Sequence, residues 1–120
     1  EIPIKILNFK NKVDFIYVGT SGPIQPALPV IAVEAQKMNI PVFNVEAQAV
    51  QDGLALASFG VEYKAVGRNA AKLASAFLNG EKIENLPPIY PTIFDHHGFV
   101  NKKIATDLSL NIPSDVEEVG

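Results

Sequence analysis

Two short stretches place hydrogen-bonding side chains directly after apolar runs. Thr20-Ser21-Gly22 follows Val13-Asp14-Phe15-Ile16-Tyr17-Val18-Gly19, and Glu46 and Gln48 follow Ile40-Pro41-Val42-Phe43-Asn44-Val45. Hydroxyls at Thr20 and Ser21 can bond a ligand, and a helix starting after Gly22 would add backbone N–H donors and a partial positive charge suited to a carboxylate or other anion. The same three residues also suit plain helix capping and a turn. Glu46 can accept from a ligand ammonium or hydroxyl group; a solvated or helix-capping glutamate is the alternative. Tyr63 follows a third apolar run, where an amphipathic ring can stack on or bond a ligand, yet it also begins an apolar helical stripe as a core anchor would. Gln51 and Asp52 are secondary candidates.

Other chemistry finds little support. His96-His97 invites a metal or general-base reading, but neighbours on an extended segment point to opposite faces and do not readily share one ion. Asp95 beside them suits a turn. The chain has no Cys, which excludes disulfides, thiolate catalysis and Cys-ligated metal. It carries no Gly-x-Ser-x-Gly elbow, phosphate loop, His-Glu-x-x-His or Gly-rich dinucleotide fingerprint, so neither enzymatic activity nor a cofactor is expected.

The elements that must position these residues follow from hydrophobic spacing. Residues 13 to 19 read as a strand buried on both faces, stopped at Gly19. After the turn at Thr20-Ser21-Gly22-Pro23, the residues Ala27, Leu28, Ile31, Ala32, Ala35 and Met38 recur with helical spacing. Pro23, Pro26 and Pro29 put the regular start of that helix near Pro26, since a proline deeper than the first turn removes a hydrogen bond. Asn39 stops it; Ile40 to Val45 and Leu54 to Phe59 read as strands, the latter ending at Gly60. From Tyr63, the positions Val66, Ala70, Leu73, Ala74, Phe77 and Leu78 trace one helical face, closed by Asn79-Gly80. Thr92 to Val100 is extended, and Asn101 is placed to cap a short helix through Ala105 and Leu108, ended by Asn111-Ile112-Pro113.

Strands alternating with helices through short loops imply an α/β fold: an open, mostly parallel sheet with helices on both faces. Ile2 to Leu7 also looks like a strand, but only about five residues separate it from Val13, and a parallel crossover needs about a dozen. Either the first strands pair as a hairpin or edge, or a linking helix is missing.

At 120 residues the length suits one domain. With 48% hydrophobic and 19% charged residues, the chain has enough apolar surface to offset the entropy of ordering, which argues against disorder. Ten basic against 13 acidic residues provide no concentrated positive face, which argues against nucleic acid. No apolar run approaches the roughly 20 residues of a membrane span. The start, Glu1-Ile2-Pro3, has neither an initiator Met nor a signal-peptide pattern, as expected of a processed chain or a fragment.

Taken in order, three blocks resemble the ABC-transporter substrate-binding protein family with the type I periplasmic-binding fold. They are Val13 to Thr20, then Ile40-Pro41-Val42-Phe43, then Gly60-Val61-Glu62-Tyr63 with Gly67-Arg68-Asn69-Ala70-Ala71-Lys72. Leu78-Asn79-Gly80-Glu81-Lys82, Val100 to Ala105 and Leu110 to Pro113 extend the likeness, which spans roughly Val13 to Pro113. The resemblance implies part of a two-lobed protein that closes on a small molecule such as an amino acid and delivers it to a membrane permease. It also implies an extracytoplasmic location, periplasmic or lipid-anchored at the cell surface. On this reading the chain is a single lobe matching the later part of the second one: residues 1–12 an atypical entry, 13–90 the lobe core, 91–120 a hinge-return strand and C-terminal segment. Thr20, Ser21, Gly22, Glu46, Gln48 and Tyr63 are then the expected ligand contacts, although the family usually has an acidic or amide residue after the threonine where this chain has Ser21. Two other readings stay open. One is a stand-alone α/β module that self-associates through an unpaired segment at 91–100; the other is a flavodoxin-like or receiver-like domain, for which Glu46 with Asp52 falls short of an acidic cluster.

Overall fold

The computed structural model describes all residues from Glu1 to Gly120. Five strands form one sheet in the order β1 (Ile16–Val18), β2 (Val42–Asn44), β3 (Ala57–Val61), β4 (His96–Asn101) and β5 (Glu117–Val119). β1 pairs parallel with β2, β2 with β3, and β4 with β5. β3 and β4 run antiparallel. The Asn101 N–H donates to the Leu56 carbonyl and the Glu62 N–H to the Asp95 carbonyl, so six residues forward on one strand correspond to six back on the other. The expected open, mostly parallel α/β sheet is therefore present.

The helices are α1 (Ile2–Leu7), α2 (Leu28–Lys37), α3 (Ala47–Gln51), α4 (Tyr63–Leu78) and α5 (Lys102–Asp107). α1 corrects the strand reading of Ile2 to Leu7. Pro3 fits the first helical turn, where its missing N–H leaves no bond unmade, and Ile2 and Ile6 stand four apart on one face that packs with Leu28 and Ile31 of α2. A helix there removes any need for a hairpin. The start of α2 is also later than Pro26: Gln25–Ala27 form a 3₁₀ turn and the α-helix begins at Leu28, with Pro29 in its first turn. Asn39 ends it with φ of 55°, a left-handed conformation that asparagine tolerates, and the Ile40 N–H reaches back to the Ala35 carbonyl.

β3 lies further along the chain than the expected Leu54 to Phe59, and Gly60 falls inside it. The reason is close approach: a Cβ at Gly60 would run into the Val45 carbonyl, so glycine permits the contact rather than ending the strand.

Compactness divides the chain differently from the expected boundaries at 12 and 90. One unit comprises Glu1–Gly60 with Gly98–Gly120, the other Val61–His97. The first holds the core. Val18, Leu28, Ile31, Ala35, Ile40, Val42, Ala49, Val50 and Ala55 are buried together, with a second cluster around Leu56, Val100 and Ala105. Each large aliphatic side chain so buried contributes about 1.5–3 kcal/mol.

The second unit is built on α4 as the spacing predicts, but Ala65 is its one buried residue and the stripe at Val66, Phe77 and Leu78 is exposed. Its 3₁₀ turn at Ile93–Asp95 carries a reciprocal cap: the Asp95 carboxylate accepts from the Thr92 N–H at 2.7 Å and from the Thr92 hydroxyl at 3.1 Å. These bonds, the backbone one first, hold the Asp95 carboxyl below its ordinary range. The segment expected to offer an unpaired edge at 91–100 does not do so at β4, which has β3 on one side and β5 on the other. No helix is long and apolar enough to cross a membrane.

Candidate functional site

Parallel pairing decides where the candidate residues meet. Val18 is opposite Asn44, and Asn44 opposite Ser58, so β1, β2 and β3 present their carboxyl ends along one edge. The loop Gly19-Thr20-Ser21-Gly22 leaves from β1 there, and Val45-Glu46 leaves from β2. In an open parallel sheet this edge is where loops gather around a ligand. Thr20, Ser21 and Gly22 are all exposed, and Glu46 is half-buried.

Donors from the helix start, offered by the sequence to an anion, are engaged within the loop itself. The Ile24 and Gln25 N–H groups both donate to the Ser21 carbonyl at 3.0 Å, and Ala27 donates to Ile24 at 2.9 Å. Leu28 donates to the Gln25 carbonyl, and Pro23, Pro26 and Pro29 have no N–H to give. Ser21 serves here through its carbonyl, and no side chain caps the 3₁₀ turn. The amides of Ile24, Gln25, Ala27 and Leu28 are thus engaged, and the Thr20 and Ser21 side chains stand exposed on the loop.

Beneath the two loops lies a polar relay that spacing alone did not single out. The side-chain amide of Gln25 donates from Nε2 to the Gly19 carbonyl at 3.0 Å and faces Asn44, with Nε2 to Oδ1 at 3.5 Å and Asn44 Nδ2 to Gln25 Oε1 at 3.4 Å. Asn44 Oδ1 in turn accepts from the Glu46 N–H at 2.8 Å. Asn44 is 1% exposed, so its amide needs these partners. The clue in the sequence was an amide at the end of the apolar run Val42-Phe43-Asn44. Next in register, the Ser58 hydroxyl is buried with no hydrogen-bond partner.

Glu46 stands at the N-cap position of α3 with an extended backbone, yet its side chain does not cap the helix. The capping alternative thus does not describe its carboxylate. Gln48 is exposed on α3 and donates to Asp52 at 2.8 Å, one turn along the same helix. Tyr63 belongs to the other compact unit, where it opens α4 and is 74% exposed, so it is no core anchor. His96 and His97 are directed apart, His96 Nδ1 lying 2.7 Å from the Thr92 carbonyl and His97 Nε2 3.9 Å from Glu62. No group of three or more His, Asp or Glu is arranged to hold a metal ion.

A cleft of about 470 Å³ opens at the opposite end of the strands, between α2 and α5. Pro41, Val42, Leu54 and Leu56 line it along with Lys103 and Asp107, which pair with each other at 2.9 Å. None of the candidate residues borders it.

The sequence matches the family described as ABC transporter substrate binding protein over residues 1–119, a longer span than Val13 to Pro113. It is 31% identical over 87 residues to a tyrosine-binding protein of Clostridioides difficile, covering 72% of this chain and 25% of that protein. Among solved structures, the fold is similar to the ligand-free, open form of a substrate-binding protein with adhesive properties from Clostridium difficile. That likeness has a TM-score of 0.77 at 30% identity, covering 99% of this chain and 40% of the other. It is also similar to a Streptococcus pneumonia ABC domain in complex with L-Trp, with a TM-score of 0.81 at 25% identity, covering 100% of this chain and 41% of that one. The chain thus spans about a quarter of the length of the curated relative and about two-fifths of these solved chains.

Proposed function

The chain belongs to the ABC transporter substrate-binding protein family, and on that premise we propose that it forms one side of the binding mouth for an amino acid, those with aromatic side chains foremost. Members of this family bind rather than catalyse. The observation that carries the reading is that the Thr20-Ser21 hydroxyls and the Glu46 carboxylate leave the sheet along the same edge, on loops joined through Gln25 and Asn44. Glu46 accepts from the ligand ammonium, a charge-assisted bond, and the hydroxyls of Thr20 and Ser21 complete the polar contacts. Gly22 keeps the loop's approach open. Gln48 is an outlying contact, turned along its own helix, and Tyr63, which belongs to the second unit, is not assigned to this mouth. The aromatic preference is supported by the relatives named for tyrosine and solved with L-Trp.

Such a protein works by capture and closure: ligand contacts from two lobes stabilise the shut form over the open one. The shut form presents its cargo to an ABC permease from the extracytoplasmic side. A chain that supplies one set of contacts binds weakly on its own, with a dissociation constant on the order of 1 mM.

Titration of the ¹⁵N-labelled chain with L-tyrosine and L-tryptophan tests this. Amide shifts centred on Thr20 to Gly22 and on Glu46, saturating in the millimolar range and lost in Glu46→Gln, are the expected result. Tight 1:1 binding, or shifts confined to other residues, would overturn it.

A further inference from the structure

We infer that Gln25 is a positioning residue that fixes the spacing between the β1 and β2 loops, an inference that rests on the binding role proposed for those loops. The geometry is a continuous chain of polar contacts. Starting at the Gly19 carbonyl, it passes through the Gln25 side-chain amide at 3.0 Å, then the Asn44 side-chain amide at 3.4–3.5 Å, and ends at the Glu46 N–H at 2.8 Å. Its first atom belongs to the residue before Thr20, and its last to the backbone of Glu46. Displacement of either loop would break a bond in a relay whose central member, Asn44, is buried and depends on its protein partners.

A primary amide suits this task because it donates and accepts at once. Gln25 Nε2 serves the Gly19 carbonyl while Oε1 receives Asn44 Nδ2, and this leaves Asn44 Oδ1 for the Glu46 amide. No titratable side chain takes part in the relay. Fixed spacing lowers the ordering cost of binding.

The Gln25→Ala and Gln25→Glu variants separate this role from a general contribution to folding. In Gln25→Ala the amide signals of both Gly19 to Ser21 and Asn44 to Glu46 shift. Hydrogen exchange at the Glu46 N–H rises about fivefold, as expected when its acceptor, the Asn44 side chain, loses the net-stabilising hydrogen bonds to Gln25 that hold it. Gln25→Glu keeps an acceptor for Asn44 Nδ2 but loses the donor to Gly19 and the longer contact to Asn44 Oδ1. It is expected to shift the Gly19 to Ser21 signals more than those of Asn44 and Glu46, and it decides the matter should Gln25→Ala fail to fold. Equal disturbance of both loops in Gln25→Glu, or an unchanged Glu46 amide in Gln25→Ala, overturns the role. These readouts need no ligand. A parent chain that shows no response to L-tyrosine or L-tryptophan would defeat the binding proposal and leave the coupling of the loops intact.

Discussion

Asn101 donates from Nδ2 to the carbonyl of Val50 at 3.0 Å, and so ties the end of β4 to the end of α3 across 51 residues of sequence. The same side chain accepts from the Ile104 N–H at 3.0 Å and caps α5. Asn101→Ala removes the cap and one of the bonds to the Val50 carbonyl, which keeps the Gly53 N–H at 3.1 Å, so the expected loss is about 1–2 kcal/mol. Asn101→Asp keeps the cap acceptor and loses the donor to Val50, placing a carboxylate against a carbonyl instead. Urea unfolding of the three proteins checks this: both variants must fall below the parent, and an Asp variant as stable as the parent would show that the Val50 bond contributes nothing.

Gly60 lies against the Val45 carbonyl, where no Cβ can fit without backbone movement. Gly60→Ala therefore forces β3 away from the segment that carries Glu46, at an expected cost of about 1–3 kcal/mol. Its backbone φ is not positive, so relief of strain does not enter. Thermal unfolding of Gly60→Ala should give a lower midpoint, with Gly22→Ala, which meets open space, as the control that stays close to the parent.

The strand-helix alternation was legible because its signals are local: β-branched runs, helical stripes and punctuation at Asn39, Gly80 and Asn101. Ile2 to Leu7 was not, since a six-residue apolar run has no decisive period and only packing of Ile6 against α2 makes it a helix. The start of α2 was misjudged because Pro26 suits a 3₁₀ turn as well as an α-helix. The placement of Glu46 and the Thr20-Ser21 pair just past strand ends was legible from the apolar runs before them. Gln25 and Ser58 could not, because their relevance comes from the β1–β2–β3 register rather than from their sequence neighbours.

Asp95 gives a pH-dependent signature confined to the second unit. Its carboxylate accepts from the N–H and hydroxyl of Thr92, which hold its pKa below the ordinary value. A lowered folded-state pKa means that this contribution is complete above the unfolded carboxylate pKa, near 4, and is lost as pH falls through the lower folded value. Following the Thr92 amide resonance from pH 6 downwards should show the cap intact until below the normal aspartate range. Asp95→Asn should abolish that titration, and a midpoint at or above the normal range would contradict the assignment.

Ser58 offers the opposite kind of test, since its hydroxyl is buried beside Asn44 with no partner to bond. A hydroxyl taken from water without a compensating hydrogen bond costs about 1–3 kcal/mol. Ser58→Ala deletes that group and leaves a cavity no larger than one oxygen atom, so the variant is expected to be more stable than the parent by about 1 kcal/mol. The midpoint of urea unfolding should rise with an unchanged slope, because the surface exposed on unfolding is nearly the same. A fall of similar size would mean that an ordered water or the Asn44 amide satisfies the hydroxyl in solution, and Ser58 would then join the polar relay beneath the loops.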